Sequence, residues 1–262
     1  MARRIVTLTT DFGLADHFVG AMKGVILSIC PAAEVVDIAH QLSPFEIPEA
    51  GFTVAEASRY FPKKTVHVVV VDPGVGTSRR PILVEAAGQY FLAPDNGVLS
   101  MIYARGRHRV RHVTAEKFFL RPVSQTFHGR DIFAPVAAHL ARGILPARFG
   151  KLIHDYMRLE FHQPVRTGKR VWTGSVLKID RFGNLTTNFH ISEFPIVKTR
   201  PFVLAIGAER VTRLAATFAE CPAGEVCLIE GSSGYLEVVA NQASAAKRLG
   251  CGVSAPAELT IY

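Results

Sequence analysis

The sequence predicts a two-domain chain. Residues 1–165 read as an α/β N-terminal domain with a mainly parallel central sheet, and residues 166–262 as a smaller, antiparallel, β-rich domain. Three observations predict this. Val66–Val71 is an apolar, β-branched run broken only by His67, the pattern of a strand buried on both faces of a parallel sheet. Strand-like and helix-like runs alternate through the first half of the chain, the order of a layered α/β architecture. From Gly168 onward strand-like runs dominate, and only 243–249 looks helical.

Taken in order, Ile5–Thr10 is the first strand, ended by Asp11, Phe12 and Gly13. A helix follows from about Asp16, with Phe18, Met22, Val25, Ile26 and Ile29 at helical spacing and Pro31 as its stop. Residues 34–39 form a second strand and 49–60 a second helix. The central strand 66–71 comes next, then strands at 82–86 and 89–93 and a turn, PDNG, leading into a short helix. Phe127, His128 and Gly129 precede a helix whose apolar face uses Ile132, Val136 and Leu140. In the second domain the expected strands are 171–179, 185–188, 202–206, 209–214, 225–230, 234–239 and 258–262.

The totals exclude several classes. A chain of 262 residues, 48% hydrophobic and 20% charged, matches a globular protein with a real core. No apolar run approaches a membrane span, and MARRIVTLTTD lacks a signal-peptide pattern, so the expected compartment is cytoplasmic. Cys30, Cys221, Cys227 and Cys251 show neither a CxxC pair nor zinc spacing, so they read as free thiols, and no metal site is expected. The net charge of +8 raises the question of an anionic partner. Its densest stretch, RGRHRVRH at 105–112, reads better as an edge strand guarded by charge than as a nucleic-acid site.

The candidate reaction centre is the end of the central strand. Asp72 stands where that strand ends, Pro73, Gly74 and Gly76 force a tight loop, and Arg79 follows seven residues later. Ligands of open α/β sheets bind outside the carboxyl ends of the strands. A carboxylate there, with an arginine able to fold back onto it, is a reaction-centre pattern; a turn closed by an ion pair is the structural alternative. Asp11 lies at another strand's carboxyl end and Asp16 near a helix start, where a turn aspartate and an N-cap are the plain alternatives. His128, just before a helix, feels the positive end of the helix dipole and is biased toward its neutral form.

Together these stretches resemble one family. TDFG followed by Asp16, VDPGVGTSRR, APDNGVL, FHGRD, DRFGN and SSGYLEVVAN occur in this order and span nearly the whole chain. They resemble the S-adenosyl-L-methionine hydroxide adenosyltransferases, relatives of the fluorinase and chlorinase. The resemblance implies an α/β N-terminal domain, a β-barrel-like C-terminal domain and a homotrimer. It places the active sites between the N-domain of one subunit and the C-domain of its neighbour. It implies hydrolysis of S-adenosyl-L-methionine to adenosine and L-methionine without a cofactor. By the same resemblance Asp72, Arg79 and His128 carry the chemistry and Asp11 holds the ribose diol. Asp16, Asp180 and Ser232 then meet the methionine moiety and Asn184 the adenine, with Phe127, Ser233 and the backbone from Ala240 to Gln242 as further contacts. The halogenase relatives lack this Asp and His pattern, which favours water over halide as nucleophile.

The chemistry suits the residues. An ionised aspartate offers a diol two acceptor oxygens. Displacement at the ribose C5′ carbon expels a neutral thioether, so the leaving group needs no acid, and positioning supplies about 7–11 kcal/mol in favourable cases. Arg79 beside Asp72 keeps that carboxylate ionised and a weak base, which suits it to holding the water. His128 is then the expected proton acceptor, unless the site selects hydroxide outright with Arg79 stabilising its charge. A halide adenosyltransferase, a non-catalytic nucleoside-binding protein and a nucleic-acid binder are the rival readings, and neither nucleic acid nor membrane is the expected partner.

Overall fold

The structure, a computed structural model, describes residues 4–262. The chain forms two compact units, Met1–Leu159 and Glu160–Tyr262. No helix among the described residues is long and apolar enough to cross a membrane.

In the first unit, β1 (Arg4–Thr10), α1 (Phe18–Ile29), β2 (Ala33–Ala39), α2 (Ile47–Ser58) and β3 (Val66–Val70) follow the alternating order read from the sequence. β4 (Pro81–Ala86) and β5 (Gln89–Pro94) form a hairpin through Ala87 and Gly88, both at positive φ. That is the two-residue turn whose twist matches paired strands. α3 (Ser100–Ala104), β6 (His108–His112), α4 (Ala134–Ala141) and β7 (Leu152–Ile153) complete the unit. Residues Gly129–Phe133 wind as a π-turn that leads into α4.

The seven strands form one sheet in the order β2-β1-β3-β5-β4-β6-β7. β2, β1, β3 and β5 pair in parallel, and β4, β6 and β7 are added antiparallel. β3 is buried along its whole length, as its β-branched run requires. Val66, Val68 and Val70 join Met22 and Ile26 of α1 and Val136 and Leu140 of α4 in one core. Full burial of such a side chain contributes about 1.5–3 kcal/mol. One expectation is corrected: the basic run is not at the sheet edge, because β6 lies between β4 and the short β7. Alternation permits this. Val110 points into the core, while Arg111 reaches Glu85 on β4 at 3.2 Å.

The second unit is antiparallel. β8 (Val165–Arg166) pairs with β9 (Val171–Ile179); β10 (Leu185–His190), β11 (Phe202–Ile206), β12 (Glu209–Val211), β13 (Val226–Glu230), β14 (Tyr235–Ala240), α5 (Ala245–Leu249) and β15 (Pro256–Ile261) follow. The sheet order is β12-β11-β15-β9-β10-β14-β13. The expected strand 209–214 ends at Val211, but the chain beyond it nearly closes the sheet into a barrel. Leu228 of β13 donates to Arg213 C=O and accepts from Ala215 N–H, each at 2.8 Å. Inward residues such as Val176, Leu185, Phe189, Leu204, Leu236 and Leu259 fill the interior.

Candidate active site

Strand order sets the site. From β1 the chain crosses to β2 on one side, then returns through α2 to β3 on the other. The gap between β1 and β3 is therefore a topological switch point, where open sheets bind ligands. Thr10 pairs with Val70 across that gap, so Asp11 and Asp72 leave the sheet side by side.

The loop after Asp72 folds back by local hydrogen bonds. Val75 N–H donates to Asp72 C=O at 3.2 Å, and the Thr77 hydroxyl and amide both donate to Gly74 C=O. Gly76 is at φ +78°, and a Cβ there would stand 2.5 Å from the Gln125 carbonyl oxygen, so only glycine fits. The loop thereby returns Arg79 to Asp72. Arg79 Nε donates to Oδ1 at 3.0 Å, and Nη2 lies 2.5 Å from Oδ2. Both side chains are nearly buried, Arg79 at 9% and Asp72 at 4% exposure. Oδ2 is in charge contact with Nη2 but has no aligned hydrogen-bond donor.

His128 arrives from the opposite side, at the entrance of the π-turn. Neighbouring Phe127 anchors it, its ring edge-on to Phe12 and Phe18. Arg79 Nη2 lies 2.7 Å from His128 Nδ1. Arginine only donates, so Nδ1 is the acceptor and the proton of the neutral ring sits on Nε2. Burial first, and the Arg79 guanidinium second, hold the imidazole below its ordinary range. The Ser124 backbone is a further hydrogen-bonding neighbour of the ring. The neutral form expected from the sequence thus has two causes beyond any helix dipole. The arrangement also bears on the two proton schemes left open by the sequence. A neutral ring whose lone pair is already bonded to a guanidinium is a poor proton acceptor.

These groups open onto a hollow of about 260 Å³ lined by Asp11, Phe12, Pro44, Phe45, Asp72 and Val75, with Thr126–Gly129 along one wall. Asp11 Oδ2 accepts from Phe45 N–H at 3.0 Å. Asp16 is exposed on the loop before α1 and is not part of this wall. Among the described residues no cluster of three or more His, Cys, Asp or Glu side chains is arranged to hold a metal.

The second unit has its own hollow of about 690 Å³, lined by Asp180, Phe182, Asn184, Phe218 and the stretch Ala240–Ser244. Asp180 accepts from the amides of Phe182 and Asn184 at 2.9 Å and from Asn184 Nδ2 at 2.8 Å. Asp180, Asn184, Ala240 and Gln242 are thus together. Ser232 and Ser233 lie in the turn at the other end of β14. Glu237 bridges part of that length. Its carboxylate accepts from the Thr186 hydroxyl and occupies the space a Cβ at Gly231 would need. Burial pushes its carboxyl above the usual range, and nearby Asp180 adds to the push. The sequence reading missed Glu237, Phe182, Phe218 and Phe45. The three phenylalanines are 78%, 48% and 70% exposed, and exposure of an aromatic ring leaves no mark in a linear pattern.

Comparison with known proteins adds a finding to this geometry. Residues 6–150 match the SAM hydroxide adenosyltransferase N-terminal domain, and residues 174–258 match its C-terminal domain. The chain is 36% identical to a Salinispora tropica protein named (R)-S-adenosyl-L-methionine hydrolase, covering 94% of this chain and 93% of the relative. It is 29% identical to a Nocardia brasiliensis fluorinase, covering 93% and 92% respectively. A solved structure of an uncharacterized conserved protein from Thermotoga maritima superposes with a TM-score of 0.88 at 36% identity, covering 98% of this chain and 99% of that one.

Proposed function

The chain belongs to the SAM hydroxide adenosyltransferase family, and from that premise we propose that it hydrolyses S-adenosyl-L-methionine to adenosine and L-methionine. The observation that carries the reading is the single guanidinium of Arg79 joined to both Asp72 and His128 at the rim of a hollow that also holds Asp11.

The reaction is an in-line displacement. An oxygen nucleophile forms a bond to the ribose C5′ carbon, the C5′–S bond breaks, and its electron pair stays on sulfur as neutral methionine. If water attacks, one proton goes to solvent; if hydroxide attacks, none is released. The Arg79–His128 bond favours hydroxide, because neither residue has a lone pair free to take a proton. Arg79 stabilises the anion, and the Asp72 carboxylate, which lines the hollow, holds its O–H. Asp11 holds the ribose diol. The reaction takes no cofactor, and the free thiols suit a cytoplasmic enzyme.

The second unit supplies recognition. Phe182 and Phe218 offer faces to a planar base, and Asn184, whose Nδ2 is bound to Asp180, keeps its carbonyl oxygen for an exocyclic amine. Asp180 and Glu237 suit the substrate's ammonium group. The catalytic and recognition hollows lie on separate units, and the reading places them in one site completed by a neighbouring copy in a homotrimer. Co-expressing Asp72→Ala with Asn184→Ala tests this. A shared site restores about a quarter of the wild-type sites by random assortment. Sites built within one chain restore none.

The test of the reaction itself is chromatography of products in ¹⁸O-labelled water with chloride present. Adenosine carrying the label at its 5′ oxygen, lost in Asp72→Ala, is expected. A 5′-chloro nucleoside as main product, or retained substrate without turnover, overturns the reading.

A further inference from the structure

Behind Asp11 lies a second chain of polar groups. β2 skips a residue against β1: Leu8 pairs with Asp37 and Thr9 with Ala39. That bulge brings His40, the residue just past β2, beside Thr10 at the end of β1. Thr10 is fully buried and His40 almost so. Thr10 Oγ1 lies 2.8 Å from His40 Nδ1. His40 Nε2 lies 3.0 Å from Asp37 Oδ1, in charge contact but without an aligned hydrogen bond, and Lys23 Nζ donates to Asp37 Oδ2 at 2.6 Å.

The direction of the chain follows from chemistry. A ring nitrogen facing a carboxylate at 3.0 Å carries a proton, because two lone pairs would repel. In the neutral ring Nδ1 is therefore an acceptor, and the Thr10 hydroxyl donates to it. The Thr10 oxygen is then left to accept, and Phe12 N–H donates to it at 3.3 Å. Gly13 N–H donates to the His40 carbonyl at 2.7 Å. The loop Asp11–Gly13 is thus held on one side by the side chain of His40, through Thr10, and on the other by its backbone.

We infer that Asp37, His40 and Thr10 form a positioning relay that fixes the Asp11 carboxylate for the two hydroxyls of the bound ribose. This rests on the role of Asp11 in the proposed function. None of the three touches the substrate. The relay holds the Asp11 loop in the empty protein, so the diol meets a preset acceptor. Because the contact is made equally before and during reaction, losing it raises KM and leaves kcat nearly unchanged.

Thr10→Val is close in shape and removes only the hydroxyl; Thr10→Ser keeps it. Calorimetric titration with adenosine and steady-state kinetics read the effect. Thr10→Val is expected to weaken adenosine and raise KM by about tenfold, with kcat within about twofold, and Thr10→Ser to restore both. A purely structural role gives Thr10→Val the parent's adenosine affinity despite a lower Tm, or Thr10→Ser the same loss as Thr10→Val; either overturns the inference. Long-range ¹H–¹⁵N spectra of His40 form an arm independent of turnover. A proton on Nε2 and a bare Nδ1 are expected at pH 7.5, and a proton on Nδ1 overturns the relay. Failure of the product test with His40 in the expected tautomer sinks the hydrolase reading instead.

Discussion

The two hollows are built on opposite terms. In the first unit the polar groups bind one another: the nearly buried Asp72 and Arg79 and the half-buried His128 form a charge-locked set before any ligand arrives. In the second unit the walls are exposed rings and backbone, and the carboxyl of Glu237 outside that lining is pushed above the usual range by burial first and by Asp180. On the proposed function the difference separates two tasks. Chemistry needs groups that do not reorganise at the moment of reaction. Recognition tolerates looser walls that are completed by the ligand.

Breaking the locked set should therefore cost most. Arg79→Ala removes the bridge and strands Asp72 as a buried, unpaired carboxylate. The rate constant kcat should fall by about 10²–10³-fold, and urea unfolding should show a loss of about 3–5 kcal/mol. Arg79→Lys should recover little activity, because a single ammonium cannot serve the planar fork on Asp72 and His128 together. Recovery to near parental rates would show that charge alone matters there.

The exposed walls should respond differently. Phe182→Ala should raise KM by roughly tenfold through lost base stacking, with kcat kept and Tm unmoved. A fall in Tm as large as that of Arg79→Ala would erase the contrast.

Acid sharpens the comparison by the smallest effect. His67, sealed against Phe61 and Phe91, is pushed down to about 3 by burial, and His128 is lowered as well. For such groups the unfolded chain binds more protons than the folded one. Their contribution is intact above about pH 6.5 and is lost as pH falls toward the folded values. Glu237 has the opposite sign: its raised folded pKa favours the fold at low pH and opposes it as pH rises through that value. Between pH 6 and 4 the amides of the first unit should lose exchange protection. The emission of Trp172, the single tryptophan and a residue of the second unit, should hold steady. His67→Gln should flatten the first unit's response.

Much of this was legible in the chain itself. Val66–Val71 announces a buried strand because β-branched runs are local signals, and Asp72 followed by Pro73 and Gly74 marks where it must end. The six ordered motifs carried the family beyond what any one stretch shows. Other features depend on residues distant in sequence. The Arg79–His128 bond, which decides where the imidazole proton sits, joins residues 49 apart. The bulge that brings His40 to Thr10 is set by strand pairing, and alternation alone does not locate it. Asp180 and Asn184 look like an ordinary turn until Phe182 is seen standing out of it.

The near-complete burial of Asp72 and Arg79 has a further consequence for reversibility. On the proposed hydroxide route a sulfonium and a hydroxide enter and two species without net charge leave, so opposite charges annihilate inside a poorly polarisable enclosure. Running backward would mean regenerating that ion pair from neutral adenosine and methionine inside the same enclosure. The enclosure therefore favours the neutral products over the ion pair while both are bound, the overall balance being set in solution, and added methionine should act as a product inhibitor.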